Sequence, residues 1–171
     1  MNNVIDGGKI ISNIYKPQGS VANKNGRDLE DIIEIMLIQL NYEKLTPSNK
    51  ANLQYHSRNI PLSAFGDRWF STQTIIGESI YNTAMKIDFV LYDKVKAPDG
   101  IIIEAKWQSS KGSVDEKYVY TALSLLKQKG RKILVLDGGG YKKGAIEYLQ
   151  KLKGIEVFSL SELMLMSKKE L

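Results

Sequence analysis

The 171-residue chain reads as an α/β domain, a mixed central β-sheet covered by helices, and three observations carry that reading. Apolar residues recur at helical spacing over residues 28–40. Two apolar runs, 86–92 and 101–107, flank a polar turn ending in Pro98-Asp99-Gly100, the pattern of a β-hairpin. A further apolar run, 131–136, sits between two helical patterns. The implied order is helix, three strands, helix, strand, helix, strand, helix.

Length and composition narrow the function classes. A chain of this length with 43% hydrophobic residues supports one domain with a real core. There are no cysteines, which excludes disulfide frameworks, zinc–thiolate sites and thiol nucleophiles and fits a reducing cytoplasm. Residues 1–9 are polar and glycine-rich, so no secretory leader is expected, and no apolar run is long enough for a membrane span. The net charge of +5 suits a nucleic-acid partner. Residues 1–25 read as an N-terminal arm or short edge strand, and 26–171 as one domain.

Taken in order, helix 28–40 buries Leu29, Ile32, Ile33, Met36, Leu37 and Leu40, with Asn25 or Asp28 as its cap. Glu30 and Glu34 lie on nearby faces of it. Residues 46–69 are polar and read as a long irregular excursion carrying Asn49, Lys50, Asn52, Gln54, His56, Arg58 and Asn59. Amides and basic side chains are the ones that read base edges and hold phosphates. His56 is the sole histidine, so a histidine triad or a histidine metal cluster would rest on it alone; a surface or DNA-contacting role is expected. Residues 70–79 form the strand before the hairpin. Ser113 and Glu116 make a capping box, Tyr118, Ala122, Leu125 and Leu126 a buried stripe, and Gly130 the helix stop. Lys111 and Lys117 bracket that helix start, where free N–H groups favour a phosphate. After strand 131–136, the glycines 138–140 lack a following Gly-Lys-Ser/Thr, so they read as a mobile turn rather than a phosphate loop. Helix 142–152, strand 155–158 and a final helix capped by Ser159 and Glu162 complete the chain.

The hairpin carries the chemistry. Side chains alternate along a strand, so Ile87, Phe89 and Leu91 face one way and Asp88 and Val90 the other. On the second strand Ile102, Glu104, Lys106 and Gln108 share a face. Folded symmetrically about Lys96, the hairpin puts Asp88 across from Glu104, with Cβ atoms roughly 4.5–5.5 Å apart. Two carboxylates at that spacing can share one hard cation, with Lys106 roughly 6.6 Å further along. An acid-x-Lys triplet is expected by chance roughly twice in such a chain. It occurs as Glu104-Ala105-Lys106 and Asp115-Glu116-Lys117. Only the first closes an apolar strand, where charges are costly unless paired or metal-bound. A salt-bridged structural hairpin is the competing reading.

An isolated Asp, a hairpin, then Ile-Ile-Glu-Ala-Lys resembles the PD-(D/E)XK nuclease superfamily, the restriction-endonuclease-like fold. Residues 26–42 resemble the first helix of that family, with Glu30 as its acid. Trp107-Gln108 and the segment 112–117 resemble type II restriction enzymes, and the likeness runs from Gly26 to Leu165. The proline that the family places before the first Asp is replaced by Ile87. The resemblance implies a Mg²⁺-dependent DNA endonuclease, with Mn²⁺ able to substitute. Asp88, Glu104 and the Ala105 carbonyl would hold metal, as hard oxygen ligands suit these ions. Lys106 would orient or deprotonate the attacking water and neutralise phosphate charge, and Gln108 would position water or phosphate. Lys50, Asn52, Gln54, His56, Arg58, Lys111 and Lys117 are the expected DNA contacts. The partner would be double-stranded or branched DNA, bound by a homodimer or tetramer because one chain offers one acidic site. Restriction-like cleavage leads; homing endonucleases and junction resolvases share the fold, and a non-catalytic DNA-binding module is the alternative of another class.

Overall fold

The structure, a computed structural model, describes residues 22–56, 60–109 and 115–171. A six-stranded mixed sheet with five helices confirms the expected α/β class. The elements are α1 (Ala22–Gln39), β1 (Glu43–Lys44), α2 (Pro47–His56), a 3₁₀ turn (Leu62–Phe65), β2 (Arg68–Glu78), β3 (Ala84–Asp93) and β4 (Ala97–Trp107). They continue with α3 (Asp115–Leu126), β5 (Arg131–Asp137), α4 (Lys143–Gln150), β6 (Glu156–Phe158) and α5 (Leu160–Glu170). Strand order follows the chain, β1 to β6. The β2–β3 and β3–β4 pairs are antiparallel hairpins, whereas β1–β2, β4–β5 and β5–β6 are parallel and need helical crossovers.

Alternation along β5 fills both faces. Ile133 and Val135 join Leu29, Ile33 and Leu37 of α1 and Leu160 and Leu163 of α5. Leu134 and Leu136 join Tyr118, Ala122 and Leu125 of α3, Leu149 of α4 and Leu53 of α2. A sheet covered on both faces explains why its central strands are continuous apolar runs. Among the described residues no helix is long and apolar enough to cross a membrane.

Several sequence expectations are corrected. Helix α1 already spans Ala22, so Asp28 lies inside it instead of capping it, and residues 22–25 belong to the helix, not to an arm. Residues 1–21 lie outside the described residues. The stretch 46–69 is not irregular throughout, since it contains α2, the 3₁₀ turn and the start of β2. Thr46 Oγ1 accepts the Asn49 N–H at 3.2 Å, and among the described side chains of α2 Leu53 alone lies in the core. One leucine in a polar run leaves no apolar periodicity to read. Helix α3 stops at Leu126, ahead of Gly130. Gly130, at φ +78°, is glycine for another reason: a Cβ there would lie 2.4 Å from the Gly100 carbonyl oxygen. The Ser113 capping box falls outside the described residues. The second box is present, with Ser159 accepting from the Glu162 N–H and Glu162 from the Ser159 N–H.

Candidate functional site

The hairpin register is the one its symmetry implies: Phe89 pairs with Ile103, Val90 with Ile102 and Leu91 with Ile101. Past Phe89 and Ile103 the two strands part. Side chains take over the hydrogen bonds that the ladder would have made. The Asp88 N–H donates to Glu104 Oε2 at 3.1 Å, and the Ala105 N–H donates to Asp88 Oδ2 at 2.9 Å. The parting goes with a bend in β2, where Gln73 takes φ +50° opposite Asp88 and the register slips between Ile75 and Glu78. Beyond that bend the β2–β3 tip leaves β4 and lies on α3. Ile80 N–H donates to Ser124 Oγ, Lys127 Nζ to the Ser79 carbonyl, Gln128 Nε2 to the Glu78 carbonyl, and Tyr81 stacks on Tyr120. Ile87 consequently packs with Met85 and the α3 residues, not with Phe89 and Leu91 as strict alternation implied.

The fork gathers charge. Asp88 and Glu104 are 7% and 6% exposed. Lys106 Nζ reaches both, at 2.6 Å from Glu104 Oε1 and 3.3 Å from Asp88 Oδ2. Glu30 of α1 joins through an amide, with Gln73 Nε2 donating to Glu30 Oε2 at 2.8 Å and to Asp88 Oδ1 at 2.9 Å. Burial, then the nearby Asp88 charge, pushes the Glu30 carboxyl above its usual range. Burial likewise raises Glu104, with Asp88 adding to it and Lys106 opposing. Burial alone would lower the Lys106 pKa, but Glu104 and Asp88 outweigh it and hold the ammonium above the usual lysine value. Three acids thus crowd one ammonium. Gln73, which ties them together, carried no sequence signal, because a single glutamine among strand threonines is unremarkable.

The other expected residues are distributed as follows. The Ala105 N–H points into the fork, and a strand residue directs its N–H and C=O to the same edge, so the Ala105 carbonyl faces it too. Gln108 is buried with its amide turned elsewhere, Nε2 donating to the Gly140 carbonyl at 3.1 Å and Oε1 accepting from the Tyr118 hydroxyl at 2.6 Å. Lys50, Asn52 and Gln54 sit on α2, Asn52 exposed and the other two half-buried. Lys117 is exposed in the first turn of α3. His56 ends α2, and its side chain, like Arg58 and Lys111, lies outside the described residues. Among the described residues no three His, Cys, Asp or Glu side chains gather closely enough to cage a metal; Glu30 stays one amide away from the Asp88–Glu104 pair.

The α/β domain thus sets two buried acids and a lysine at a strand fork. A family model described as PD-(D/E)XK nuclease superfamily domain matches residues 21–171, and the chain belongs to that superfamily. No curated protein and no solved structure matches it.

Proposed function

We propose that this protein is a Mg²⁺-dependent endonuclease cutting double-stranded DNA at specific sequences, in the manner of type II restriction enzymes. The observation that carries the reading is the Asp88–Glu104–Lys106 cluster at the point where β3 and β4 part. The donor set fits a hard divalent ion: two buried carboxylates, the Ala105 carbonyl on the same edge, and a single ammonium set against both acids. Mg²⁺ commonly keeps several waters and takes only one or two protein carboxylates, so a third acid in direct contact is unnecessary. Asp88, Glu104 and Ala105 would hold the ion, and Mn²⁺ would serve in its place. When bound, it would supply Lewis acidity, lowering the pKa of a water and neutralising charge on the scissile phosphate.

The chain's own groups do the rest. Lys106 stays an ammonium while it faces two carboxylates, which suits it to attract the phosphate and orient the attacking water more than to remove a proton. Glu30, raised by burial and tied to Asp88 through Gln73, is placed to accept a proton or a water hydrogen bond at the rim of the fork. Lys50, Asn52 and Gln54 on α2, with His56, Arg58, Lys111 and Lys117, form the DNA-contacting set. Asn and Gln amides can pair with adenine, at about 1–3 kcal/mol of discrimination per bidentate contact. One chain presents one acidic pair, so a double-strand break calls for a two-fold dimer or a dimer of dimers.

The test is cleavage of a randomised duplex library beside a four-way junction, with Mg²⁺ and with chelator. Metal-dependent cuts at one sequence are expected, and light scattering should show a dimer or tetramer, a monomer both free and on DNA counting against the two-fold assembly. Cutting confined to the junction would replace the restriction reading with a resolvase. Binding unaffected by chelator, without cleavage in Mg²⁺, would leave only a DNA-binding module.

A further inference from the structure

The three glycines 138–140 are stitched to the end of β4 just beyond Lys106. The Gln108 N–H donates to the Asp137 carbonyl at 2.9 Å, and the Gly140 N–H to the Gln108 carbonyl at 2.8 Å. The Gln108 side chain returns a third bond to the Gly140 carbonyl at 3.1 Å. Gly138 runs so close, at φ +100°, that a Cβ would sit 2.5 Å from the Gln108 carbonyl oxygen and 2.9 Å from the Trp107 ring. The turn is therefore a clasp, not the mobile connection its composition implied.

Tyr141 follows the clasp. It is 8% exposed, and its hydroxyl donates to the Lys106 carbonyl oxygen. Its ring meets Tyr118 edge-on at 5.0 Å, and the Tyr118 hydroxyl donates to Gln108 Oε1, closing a circuit from clasp to helix to strand. Burial, then the neighbouring Tyr118, pushes the Tyr141 pKa above the usual tyrosine range, so its hydroxyl remains a donor. Lys106 is held at both ends: its ammonium by Glu104 and Asp88, its carbonyl by Tyr141. A lysine head on a flexible four-carbon stem is placed only as well as the backbone beneath it.

We propose that Tyr141 is a positioning residue for Lys106, its hydroxyl fixing the strand end from which the ammonium reaches the fork. The catalytic consequence rests on the nuclease reading; the positioning itself does not. Displacing a reacting group by ~1 Å can cost ~10²-fold in rate. Tyr141→Phe keeps the ring against Tyr118 and removes only the donor. With Mg²⁺ and a cleavable duplex, its kcat should fall about 10–100-fold, with KM and melting temperature near wild type. Tyr148→Phe, a half-exposed tyrosine on α4, serves as the unchanged control.

A second measurement needs no activity. In ¹⁵N-lysine-labelled protein, the Lys106 ammonium resonance is assigned by its disappearance in Lys106→Met, and it should shift or broaden in Tyr141→Phe. If Tyr141→Phe does not fold, Tyr118→Phe leaves the Tyr141 hydroxyl in place, loosens its backing, and should move the same resonance less. An unmoved resonance overturns the proposal, as does a loss of kcat that merely tracks a fall in melting temperature. Wild-type protein that cuts no DNA would sink the nuclease reading, while the resonance would still decide the positioning one.

Discussion

Strand β3 carries two buried acids, Asp88 and Asp93, at 7% and 6% exposure, and they live in opposite circumstances. Asp93, at the closed end of the hairpin, is surrounded by donors. Its Oδ1 accepts from the Val95 and Lys96 N–H groups, both at 2.9 Å, and its Oδ2 ion-pairs with Arg68 Nε at 3.2 Å. Arg68 is itself stacked over the Tyr42 ring at 4.4 Å. Burial opposes ionisation there, yet the two N–H groups and Arg68 outweigh it and hold the carboxyl below its usual range. Asp88, at the open end, shares one ammonium with Glu104 while Glu30 stands behind Gln73. Burial leaves Glu104 and Glu30 above their usual range. Buried acids alone do not mark a site. An excess of carboxylates over the donors that could stabilise them does.

That contrast can be broken by substitution. The largest effect is expected at the open end, where Asp88→Asn, Glu104→Gln and Lys106→Ala should each lower cleavage at least about 10²–10³-fold. Circular dichroism should show the fold intact in all three. Urea unfolding should show little loss for Asp88→Asn and Glu104→Gln, which relieve crowded charge, and a lower midpoint for Lys106→Ala, which takes away the ammonium facing both acids. Near wild-type cutting by any one of the three would remove that residue from the mechanism. Next comes Gln73→Ala, which unties Glu30 from Asp88 and should cost about 10-fold or more in kcat. A change in KM alone would assign Gln73 to DNA binding instead.

Asp93→Asn should leave kcat unchanged and cost about 1.5–3 kcal/mol of stability at pH 7, the range for hydrogen bonds to a charged group. Its sign with pH follows from a folded pKa below the unfolded value of about 3.9. The stabilisation is complete above that value and is lost as pH falls through the folded pKa, so the gap between variant and wild type should close in acid. Urea titrations at neutral pH and near pH 3 measure this; a gap that widens in acid contradicts the assignment. If Asp93→Asn reduced cleavage as severely as Asp88→Asn, the two ends would not differ in kind. Smallest of all, Ser159→Ala should lose about 1 kcal/mol through its capping box, read as a lower urea midpoint with no change in cleavage.

How much was legible in the sequence follows the same division. The β3–β4 register was readable from the symmetry of the two apolar runs about Lys96, which the ladder keeps from Leu91–Ile101 to Phe89–Ile103. The meeting of Asp88 and Glu104 came with that register. The fork did not, since it depends on Gln73 adopting φ +50° and on the hairpin tip finding Ser124 on a distant helix and Lys127 and Gln128 in the turn after it. Helix α2 stayed hidden because, among its described side chains, Leu53 alone joins the core, so tertiary packing against Trp69 and its neighbours decided the outcome. Gln108 had the right parity for the site face, but the Gly140 carbonyl and the Tyr118 hydroxyl, both remote in sequence, claimed its amide.

The parting of β3 from β4 has a consequence for amide hydrogen exchange. The Ala105 and Asp88 N–H groups are held by carboxylates, not by strand carbonyls. Rotating one side chain can release either, with no need to open the sheet, whereas an amide within the ladder waits for local or global unfolding. These two positions should therefore exchange on their own schedule. Their protection would rise or fall with whatever ion or phosphate engages the two acids, giving a label-free reporter of the cleft built into the backbone itself.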